Sequence, residues 1–553
     1  MTDYSMDAYR YAIRNAYAHH GKADMGALVG KLKALYPDAN PKELIPICKQ
    51  TAEKVNSMGM DEISSEYEKF EAAGFELKIP EKKVGLQDLE WAAEEGVVTR
   101  YAPNPSAPGH LGHLRPAFLS YAYAKKYGGK FILRFDDTDP KLKKPMEGGQ
   151  KIYLDDLAWL GITPDLIVIA SDRLEIYYDY MQQLVGLGQG YVCTCDKEVW
   201  KKHILAHESC PCRELSIEEQ QLRLQKMFKH EYKQGEAVLR IKTDLHDQDP
   251  SQRDWACARI VDKPQHYKVK DKIVWPTYNF ACAIDDHLLG ITLIIRGQEH
   301  VPNMLKQQWL FKHFGWNYPH AFHHGRMIMP GSEMSKSKMI AGIAAGKYTG
   351  WDDPRLFTIK TLQRKGFTPA GLKDLMVELG TKTSDTILGL EVLATYNKPH
   401  LKDAITVPLI ENPIPLEVDF GPKLEVQMDE EKIHIQEGSQ GFFVSQNDLP
   451  EPKVGQILRL RNAYIIKLTQ VEAAHLNAQF VSTQKLEKTT QVSWLLQGID
   501  VRIVMPDNTT KHGLAGHAIA RAKVGQHIFF PGFGYCRVDA KDENSVTLWF
   551  THP

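Results

Sequence analysis

The sequence has few cysteines, no excess of charge of either sign and no long hydrophobic run, and each absence excludes a class of protein. Eight cysteines among 553 residues are too few for a disulfide-stabilised scaffold. No stretch reaches the roughly 18 consecutive apolar residues of a membrane-spanning helix, so we expect no membrane partner. The first residues, MTDYSMDAYRYA, lack the basic and apolar regions of a secretory signal. We therefore expect a cytoplasmic protein with reduced cysteines.

The charge balance is close to neutral, because 68 lysines and arginines stand against 69 aspartates and glutamates. This sum does not point to a polyanionic partner, although it permits a basic face balanced by an acidic face elsewhere. A content of 43% hydrophobic and 25% charged residues is typical of a folded globular protein. At roughly 150 residues per domain, the length predicts three or four domains.

Periodicity divides the chain into segments of different character. Residues 1–95 carry apolar positions at helical spacing and predict a helical N-terminal domain. Strand and helix patterns then alternate, which is typical of an α/β domain with a parallel sheet, and we divide it into 96–190 and 271–345 with a separate region at 191–270. Residues 346–400 are again helical in pattern. Residues 401–553 alternate with a period of two between turn clusters and predict C-terminal antiparallel β-barrels.

Several individual elements are predicted from their local patterns. A βαβ unit runs from the strand before Arg100 through a Gly/Pro-rich turn and a helix to the strand Phe131–Phe135. The apolar run Leu288–Ile295 suits a buried strand, which we place at Ile291–Ile295, and Val301–Phe314 suits a helix. Short strands are predicted at Leu424–Met428, Ile457–Leu460 and Val501–Val504.

His110-Leu-Gly-His113 opens the helix of this βαβ unit. The unpaired N–H groups and positive dipole of a helix N-terminus attract phosphate, and Gly112 lets a flat ligand approach the backbone. Two imidazoles three positions apart share one face and can donate hydrogen bonds to phosphate oxygens. The pattern alone equally fits a surface histidine pair, and a metal site would need a third ligand that is not close in sequence.

A second candidate motif is Glu333-Met-Ser-Lys-Ser-Lys338, which follows Pro330-Gly331 and is predicted to be a loop. Lys336 lies between two serines, and a mobile loop with such a lysine suits the neutralisation of phosphate charge. Taken alone, the segment also fits a solvated basic loop.

Half of the cysteines fall in one short segment, as Cys193-Thr-Cys195 and Cys210-Pro-Cys212. Two close thiolate pairs joined by a short loop can enclose a tetrahedral Zn²⁺, and four protein ligands would make the ion structural. Two alternatives stay open at this stage: four unrelated buried cysteines, or a site in which His203 or His207 replaces one thiolate.

Together, the histidine and serine–lysine motifs resemble those of the class I aminoacyl-tRNA synthetases. Further segments are similar to the glutamyl/glutaminyl branch and most similar to the archaeal type of glutamyl-tRNA synthetase, from about residue 95 to the end of the chain. These segments are Arg100–Pro105, Arg134–Pro140, Trp275–Phe280, Ile284–Asp286 and Ile295–His300. One departure is Glu333, which replaces the first lysine of the family's KMSKS loop.

The resemblance implies a Rossmann-like catalytic domain and an enzyme that activates L-glutamate with ATP and Mg²⁺, then transfers it to the 3′ end of tRNA(Glu). The implied catalytic residues are His110, His113 and Lys336, and the implied ATP site adds Gly112 and Ser335. The implied glutamate site comprises Arg100, Ala102, Asn104, Asp136, Tyr278, Cys282 and Arg296. The zinc-containing insertion at 191–270 would hold the acceptor end, the 346–400 helices the stem and the barrels the anticodon.

Specificity for glutamate rests on Arg296, where the resemblance places arginine in glutamyl enzymes and a small neutral residue in glutaminyl enzymes. The planar fork of arginine matches a carboxylate with two hydrogen bonds. The structural alternative is an ion pair between Arg296 and Asp285 or Asp286.

Three other functions remain as alternatives. A glutaminyl-tRNA synthetase shares the scaffold, a nucleotidyltransferase without tRNA shares the histidine motif, and a non-catalytic relative would bind RNA or regulate another enzyme. The sequence leaves open whether tRNA(Gln) is a second substrate and whether the N-terminal domain binds a protein partner.

Overall fold

The computed structural model of the protein describes residues 4–18, 21–36, 39–72, 85–331, 333, 335–428, 431–484, 486 and 489–553. They belong to two compact units, Met1–Gly85 and Leu86–Pro553. Of the described helices, none is long and apolar enough to cross a lipid bilayer.

The first unit is a small helical assembly. Its helices are α1 (Ser5–Ala18), α2 (Met25–Leu35), α3 (Pro41–Asn56) and α4 (Met60–Ala72). Asp24 and Asn40 begin α2 and α3 as N-caps, each accepting a backbone N–H within the first turn. The buried face of α1 consists largely of alanines, Ala8, Ala12 and Ala16, and such small side chains allow neighbouring helices to pack closely.

The second unit begins with the first half of a parallel sheet. Its elements are α5 (Ala92–Glu95), β1 (Val98–Tyr101), α6 (Leu111–Lys126), β2 (Lys130–Phe135), α7 (Gly149–Trp159), β3 (Leu166–Ile169) and α8 (Leu174–Gly186). The predicted strand Phe131–Phe135 is therefore confirmed. Five of the six residues of β2 are buried and Lys130 is exposed, as expected for a strand covered on both faces.

A four-stranded antiparallel sheet interrupts the parallel one. It is built from β4 (Gly190–Cys193), α9 (Lys197–Leu205), α10 (Ile217–Phe228), β5 (Val238–Ile241), β6 (Ala256–Ile260) and β7 (Val274–Pro276). The strands pair in sequence order, β4-β5-β6-β7. All four cysteines of the predicted metal site lie in this part of the chain.

The parallel sheet then resumes and is followed by a helical segment. The elements are α11 (Tyr278–Leu288), β8 (Leu293–Gly297), α12 (Val301–Phe314), β9 (His320–His324), β10 (Met327–Ile328), α13 (Lys336–Ala344), α14 (Ile359–Lys365), α15 (Pro369–Leu379), β11 (Thr386–Ile387) and α16 (Leu390–Asn397). The predicted helix Val301–Phe314 is confirmed. The predicted buried strand at Ile291–Ile295 is confirmed from Leu293 onward, whereas Leu288 ends α11 and a left-handed Gly290 follows it, so the strand does not extend over the whole run Leu288–Ile295.

The strand order β3-β2-β1-β8-β9 gives the sheet a topological switch point between β1 and β8. The chain leaves β1 toward one edge of the sheet and leaves β8 toward the other. Ligands of open parallel sheets bind in the crevice at the carboxyl ends of the strands at such a point. The histidine motif follows β1 and Arg296 lies at the end of β8, so the topology brings both to this crevice.

The C-terminal region forms two seven-stranded sheets and one hairpin. Its strands are β12 (Ile405–Thr406), β13 (Leu409–Glu411), β14 (Pro413–Gly421), β15 (Leu424–Met428), β16 (Glu431–Ile435), β17 (Gly438–Ser445), β18 (Ile457–Leu460), β19 (Ile465–Glu472), β20 (His475–Ser482), β21 (Thr490–Val492), β22 (Trp494–Leu495), β23 (Ile499–Val504), β24 (Thr510–Ala515), β25 (His527–Phe530), β26 (Gly534–Lys541) and β27 (Ser545–His552). The strands predicted at Leu424–Met428, Ile457–Leu460 and Val501–Val504 are confirmed.

Each of the two sheets closes on itself through one bent stretch of chain. The outer strands of the first sheet are β12 and β13, which only Val407 and Pro408 separate. The outer strands of the second are β21 and β22, with Ser493 between them. Consecutive residues thus occupy both edges of each sheet, and closure into a barrel-like form leaves little unpaired edge.

Short 3-10 helices connect several of these elements. They lie at Ala170–Arg173, Pro211–Glu214, Pro250–Gln252, Gln298–His300, Lys398–His400, Gln446–Asp448 and His517–Arg521.

Candidate active site

His110 and His113 hold the N-terminus of α6 through a reciprocal pair of hydrogen bonds. His110 Nδ1 accepts from the Gly112 backbone N–H at 3.1 Å, and His113 Nδ1 accepts from the His110 N–H at 3.2 Å. The two ring centroids are 3.8 Å apart. Because each Nδ1 acts as an acceptor, the neutral rings carry their proton on Nε2. Both motif histidines are therefore oriented to donate a hydrogen bond from Nε2.

Burial keeps this histidine pair neutral. It lowers the pKa of His110 to about 4, with a further contribution from the positive charge of Lys336. Burial, the neighbouring His110 and Lys336 together hold the pKa of His113 well below its ordinary value. At neutral pH the pair offers N–H dipoles rather than two positive charges.

Lys336 lies at the same end of the crevice. Its Nζ donates to the Tyr153 hydroxyl at 2.7 Å and to the Asn104 carbonyl at 3.2 Å. Of the predicted loop, Met334 lies outside the described residues, and the helix α13 already begins at Lys336, so the segment from Lys336 to Lys338 is helical. Burial, together with the like charge of Lys143, lowers the pKa of Lys336 to about 8. Its ammonium group is thus buried without a carboxylate partner among the described residues.

Glu333 stabilises the turn that leads into α13. Its Oε1 accepts the Ser335 backbone N–H at 2.8 Å, and its Oε2 lies 3.6 Å from Lys338 Nζ. The residue that departs from the family pattern therefore acts as a local cap on the lysine loop. Ser335 itself is exposed at the start of α13.

At the other end of the crevice, Arg100 forms a buried ion pair. Its Nε and one terminal nitrogen donate to the two carboxylate oxygens of Asp286 at 2.9 and 3.1 Å. The same nitrogen lies 3.7 Å from Cys282 Sγ, and burial raises the pKa of this thiol to about 11. Arg100 and Cys282 are brought together as predicted, with Asp286 as an additional member.

A second buried charge cluster surrounds Asp285. Its carboxylate accepts from Arg134 Nε at 2.6 Å, Arg173 Nε at 2.7 Å and the Tyr177 hydroxyl. Asp136 lies at the rim of this cluster, 3.5 Å from Arg134, and burial raises the pKa of its carboxyl group.

The remaining predicted glutamate-site residues differ in how closely the structure ties them to the cluster. Asn104 donates to the Asp136 carbonyl at 2.7 Å and so connects the turn after β1 with the end of β2. Tyr278 begins α11, with its ring centroid 5.9 Å from that of His300. Ala102 lies half-buried in the turn after β1.

Arg296 differs from the other arginines of the crevice because its partners are neutral. It donates to Gln307 Oε1 at 3.1 Å, to the Tyr318 hydroxyl at 3.0 Å and to His323 Nε2 at 3.2 Å. Only 5% of the surface of Arg296 is exposed to solvent. Among the described residues no carboxylate lies within ion-pair distance, so the alternative of a pair with Asp285 or Asp286 is wrong.

Two histidines near Arg296 also remain uncharged. Burial, followed by the positive charge of Arg296, lowers the pKa of His300 to about 3 and that of His323 to about 4. The Arg296 guanidinium is therefore a buried positive charge whose hydrogen-bond partners are all neutral. Such a charge is costly unless a partner is supplied from outside the chain.

Sequence reasoning did not identify the neutral partners of Arg296. Gln307 carried a detectable signal, since it lies on the buried face of α12 with Leu310 and Phe311 at positions i+3 and i+4. A polar side chain on an apolar helical face requires a buried partner. Tyr318 and His323 carried no comparable local signal, because β8, β9 and their connection bring them to Arg296.

The four cysteines of the inserted sheet form one cluster. The Sγ atoms of Cys193 and Cys210 are 3.9 Å apart, and those of Cys195 and Cys212 are 3.6 Å apart. The sulfur atoms of Cys193, Cys195 and Cys210 all lie within 4.8 Å of one another, whereas Cys212, the fourth predicted ligand, is not part of this group and approaches Cys195 at 3.6 Å. A tetrahedral zinc–thiolate site, with bonds of about 2.3 Å, requires sulfur–sulfur distances of about 3.8 Å.

The surroundings of the cluster also suit thiolates. Cys212 Sγ accepts from the Thr194 backbone N–H and from Arg223, each at 3.4 Å. Donors around ligand sulfur atoms stabilise their deprotonated form. Neither His203 nor His207 joins the metal-capable group found among the described residues.

The crevice thus combines two kinds of anion recognition. Neutral N–H donors and a buried ammonium lie at the N-terminus of α6. A guanidinium that has no counter-ion within the described part of the chain lies at the end of β8. This arrangement can hold a polyphosphate at one end and a small carboxylate at the other.

Comparison with known proteins shows the family to which this chain belongs. Residues 96–403 match the family model of the class I tRNA synthetase (E and Q) catalytic domain. The chain is 41% identical to a glutamate–tRNA ligase of Pyrococcus horikoshii, over 99% of both chains. It is 36% identical to that of Methanobrevibacter smithii, over the whole of both chains.

Solved structures are more distantly similar. A glutamate tRNA ligase from Elizabethkingia meningosepticum matches with 21% identity and a TM-score of 0.41, covering 55% of this chain and 70% of that one. The sequence relatives, in contrast, match along nearly their full length. The chain therefore belongs to the class I tRNA synthetases of the E and Q type, and within them to the family of glutamate–tRNA ligases.

Proposed function

We propose that this chain activates L-glutamate with ATP and transfers it to the 3′ end of tRNA(Glu). The observation that carries the choice of amino acid is Arg296, a buried guanidinium with neutral partners only. A glutamate side-chain carboxylate would supply the missing counter-ion with two hydrogen bonds. Glutamine would leave the charge unpaired, and for that reason we favour glutamate over glutamine.

Other residues of the crevice are proposed to hold the remaining parts of the substrates. Asp136 is available to the α-ammonium group, since its nearest cation, Arg134, is already paired with Asp285. Arg100 would lie behind the glutamate pocket, where it is paired with Asp286 and close to Cys282. Ala102, Asn104 and Tyr278 would form its walls.

The first chemical step joins the α-carboxylate of glutamate to the α-phosphorus of ATP and releases pyrophosphate. The Nε2–H groups of His110 and His113 would hold phosphate oxygens, with Gly112 and Ser335 allowing close backbone approach. The Lys336 ammonium would balance charge that develops on the departing pyrophosphate, whose accompanying Mg²⁺ enters with ATP. Catalysis of this kind depends on positioning and charge stabilisation. A ribose hydroxyl of the terminal adenosine then attacks the mixed anhydride and releases AMP.

An ATP–pyrophosphate exchange assay with glutamate and with glutamine, run with and without tRNA, tests the proposed activity. We expect exchange with glutamate. The variant Arg296→Ala should lose more than about tenfold in glutamate efficiency, or about 1.4 kcal/mol of transition-state stabilisation. A smaller loss, or equal exchange with glutamine, would refute the assigned role of Arg296.

We further propose that Cys193, Cys195, Cys210 and Cys212 hold a structural Zn²⁺. The sulfur–sulfur distances and the donors on Cys212 support this assignment. Bound zinc would supply folding stability to the inserted sheet. Purified protein should contain one zinc per chain, and Cys210→Ser should lower that content while Cys257→Ser, at a buried cysteine outside the cluster, should not. Equal zinc content in both variants would contradict the assignment.

The regions outside the crevice are proposed to bind tRNA. Residues 191–270 would hold its acceptor end, 346–400 its stem and the barrel-like sheets of 401–553 its anticodon. A cavity of about 460 Å³ between the two sheets supports the last assignment, since unpaired bases bind in pockets of this kind. Its polar lining includes His434, Gln436, Gln440, Gln497 and His517.

A further inference from the structure

We propose that Tyr153 is a positioning residue for the adenylation step, because its phenol oxygen holds the Lys336 ammonium beside the histidine pair before ATP binds. This inference rests on the proposed function of Lys336 in that step. It concerns a residue that lies outside both motifs, in the middle of α7.

The contact between the two side chains is direct. Lys336 Nζ donates to the Tyr153 hydroxyl at 2.7 Å and also lies 5.4 Å from the centre of the Tyr153 ring. Together with the Asn104 carbonyl, this contact orients an ammonium group on an otherwise flexible four-carbon side chain. Two fixed acceptors reduce the conformational entropy that Lys336 would lose when it binds phosphate.

Tyr153 is suited to this role because it is itself held rigidly. Only 2% of the surface of Tyr153 is exposed to solvent. Its ring packs edge-on against Phe135 at the end of β2, with centroids 6.1 Å apart, and lies 6.4 Å from the ring of Tyr101 at the end of β1. The hydroxyl therefore has a fixed position relative to the carboxyl ends of two central strands.

The same ring also lies close to Gly109, the residue that precedes the histidine motif. A Cβ atom placed on Gly109 would lie 3.4 Å from Tyr153 Cε1. Tyr153 thus lies beside the residue before His110 and contacts the proposed catalytic lysine through its hydroxyl. It is therefore adjacent to both motifs, which are far apart in the sequence.

A neutral acceptor has an advantage over a carboxylate at this position. A carboxylate would neutralise Lys336 and compete with the phosphate, whereas a phenol orients the ammonium and leaves its charge available. Asp156 lies one helical turn further along α7, but Lys336 donates a hydrogen bond to the Tyr153 hydroxyl and not to this carboxylate.

The test compares Tyr153→Phe with the wild type in single-turnover formation of glutamyl-adenylate in the presence of tRNA. We expect the rate to fall about tenfold to a hundredfold, the effect of losing one hydrogen bond to a charged group. The KM for ATP should change less than twofold, and the melting temperature should stay the same. Tyr101→Phe is the matched control, because it removes a hydroxyl from the same aromatic cluster without contacting Lys336, and it should keep the wild-type rate.

A double-mutant cycle with Lys336→Ala separates positioning from other roles. If Tyr153 acts through Lys336, Tyr153→Phe should have little further effect in the Lys336→Ala background. An undiminished effect there, or a wild-type rate of Tyr153→Phe alone, would overturn the proposal. A wild-type rate of Lys336→Ala would instead refute the proposed function of the lysine.

A second readout uses pH and does not depend on the activity of Lys336→Ala. Loss of an acceptor disfavours the charged ammonium, so the alkaline decline of the rate should move to lower pH in Tyr153→Phe. The other titratable groups facing Lys336 are His110, His113 and Lys143, and they are unchanged in this variant. An alkaline decline at the wild-type pH would count against the proposal.

Discussion

Arg100 and Arg134 each lie against an aspartate, whereas Arg296 lies among an amide, a phenol and an imidazole. All three arginines are buried, so burial alone does not distinguish them. The identity of the neighbouring side chain decides whether a buried arginine supports the fold or awaits a ligand. Gln307 is the decisive neighbour, since its exchange for an acid would add the missing counter-ion.

Gln307→Glu should therefore impair the use of glutamate while changing little in shape. The new carboxylate would neutralise Arg296 and repel the substrate side chain, so we expect kcat/KM for glutamate to fall tenfold or more, about 1.4 kcal/mol. Pyrophosphate exchange at varied glutamate concentration measures the effect. Gln307→Met is the control of similar size, and it should lose less because it adds no charge. Unchanged glutamate efficiency in Gln307→Glu would show that Arg296 does not bind the substrate carboxylate.

Lys336 should give the reaction an alkaline limit. Burial and Lys143 lower its pKa to about 8, so its positive charge is complete below that pH and is lost as the pH rises through it. The rate of adenylate formation should decline accordingly above about pH 8. Lys336→Arg should remove this decline, since arginine stays charged, and Lys143→Gln should shift it to higher pH by removing the like charge. A decline that persists in Lys336→Arg belongs to another group.

At the level of elements, α14 connects the histidine motif with the C-terminal sheets. Leu111 N donates to the Phe357 carbonyl and Ile359 N to the Gly109 carbonyl, so the start of α14 pairs with the residues around His110. The other end of α14 contacts the first barrel-like sheet. There Arg364 donates to both carboxylate oxygens of Asp539, at 2.8 and 2.7 Å.

The end of α14 requires glycine. Gly366 has φ of +93°, and a Cβ there would lie 2.8 Å from Thr551 Oγ1 and 2.9 Å from His527 Nε2. His527 in turn donates to the Gly366 carbonyl at 2.8 Å. The helix is therefore fitted closely to the sheet at one end and to the crevice at the other.

Arg364→Gln should weaken the transfer of glutamate to tRNA more than its activation. The Arg364–Asp539 pair holds the sheet proposed to bind tRNA against α14, and its loss should lower aminoacylation kcat/KM about threefold to tenfold. Glutamate-dependent pyrophosphate exchange should stay within twofold of the wild type. Arg326→Gln, which breaks the exposed pair with Asp385, is the control and should change neither. Equal losses in both assays would indicate general damage rather than a defect in tRNA positioning.

Local patterns were sufficient for elements whose periodicity lies within their own residues. The helix Val301–Phe314 and the strands Leu424–Met428 and Ile457–Leu460 were predicted with their observed bounds. In the run Leu288–Ile295 only the second half was predicted correctly, because Leu288 belongs to the end of a helix and the buried strand begins at Leu293. Closure of the barrel-like sheets by β12–β13 and β21–β22 depends on pairing across long sequence distances, which periodicity does not encode.

The residues of the candidate site likewise fall into those that the local sequence predicts and those that it does not. The two histidines and Lys336 are visible as motifs, and Arg296 and Asp136 through their surroundings in the sequence. The side chains that give these residues their chemistry, such as Tyr153 and Tyr318, come from other elements and carry no motif. Contacts across the fold, rather than the motif residues alone, determine which charges remain free.

At the scale of the whole molecule, the net charge of −1 is compatible with the proposed binding of tRNA. Counter-ion release depends on the few cations that touch phosphates, and these can be local. The cavity between the two barrel-like sheets is lined by apolar and uncharged polar side chains in similar number, with Lys432 as a single charged member of the lining. Recognition there should accordingly depend on hydrogen bonds to bases more than on salt-sensitive phosphate contacts.

The double variant Gln440→Ala/His517→Ala tests this cavity within the intact chain. Loss of two base-contacting groups should raise the KM for tRNA(Glu) about tenfold, or about 1.4 kcal/mol, while pyrophosphate exchange stays within twofold of the wild type. Lys467→Ala is the control, because it removes an exposed cation of the same sheet outside the cavity lining. Aminoacylation at varied tRNA concentration and two salt concentrations measures the effect. If the KM of the double variant equals that of the wild type, the anticodon does not bind in this cavity. If the loss appears only in Lys467→Ala, phosphate contacts on the sheet surface dominate instead.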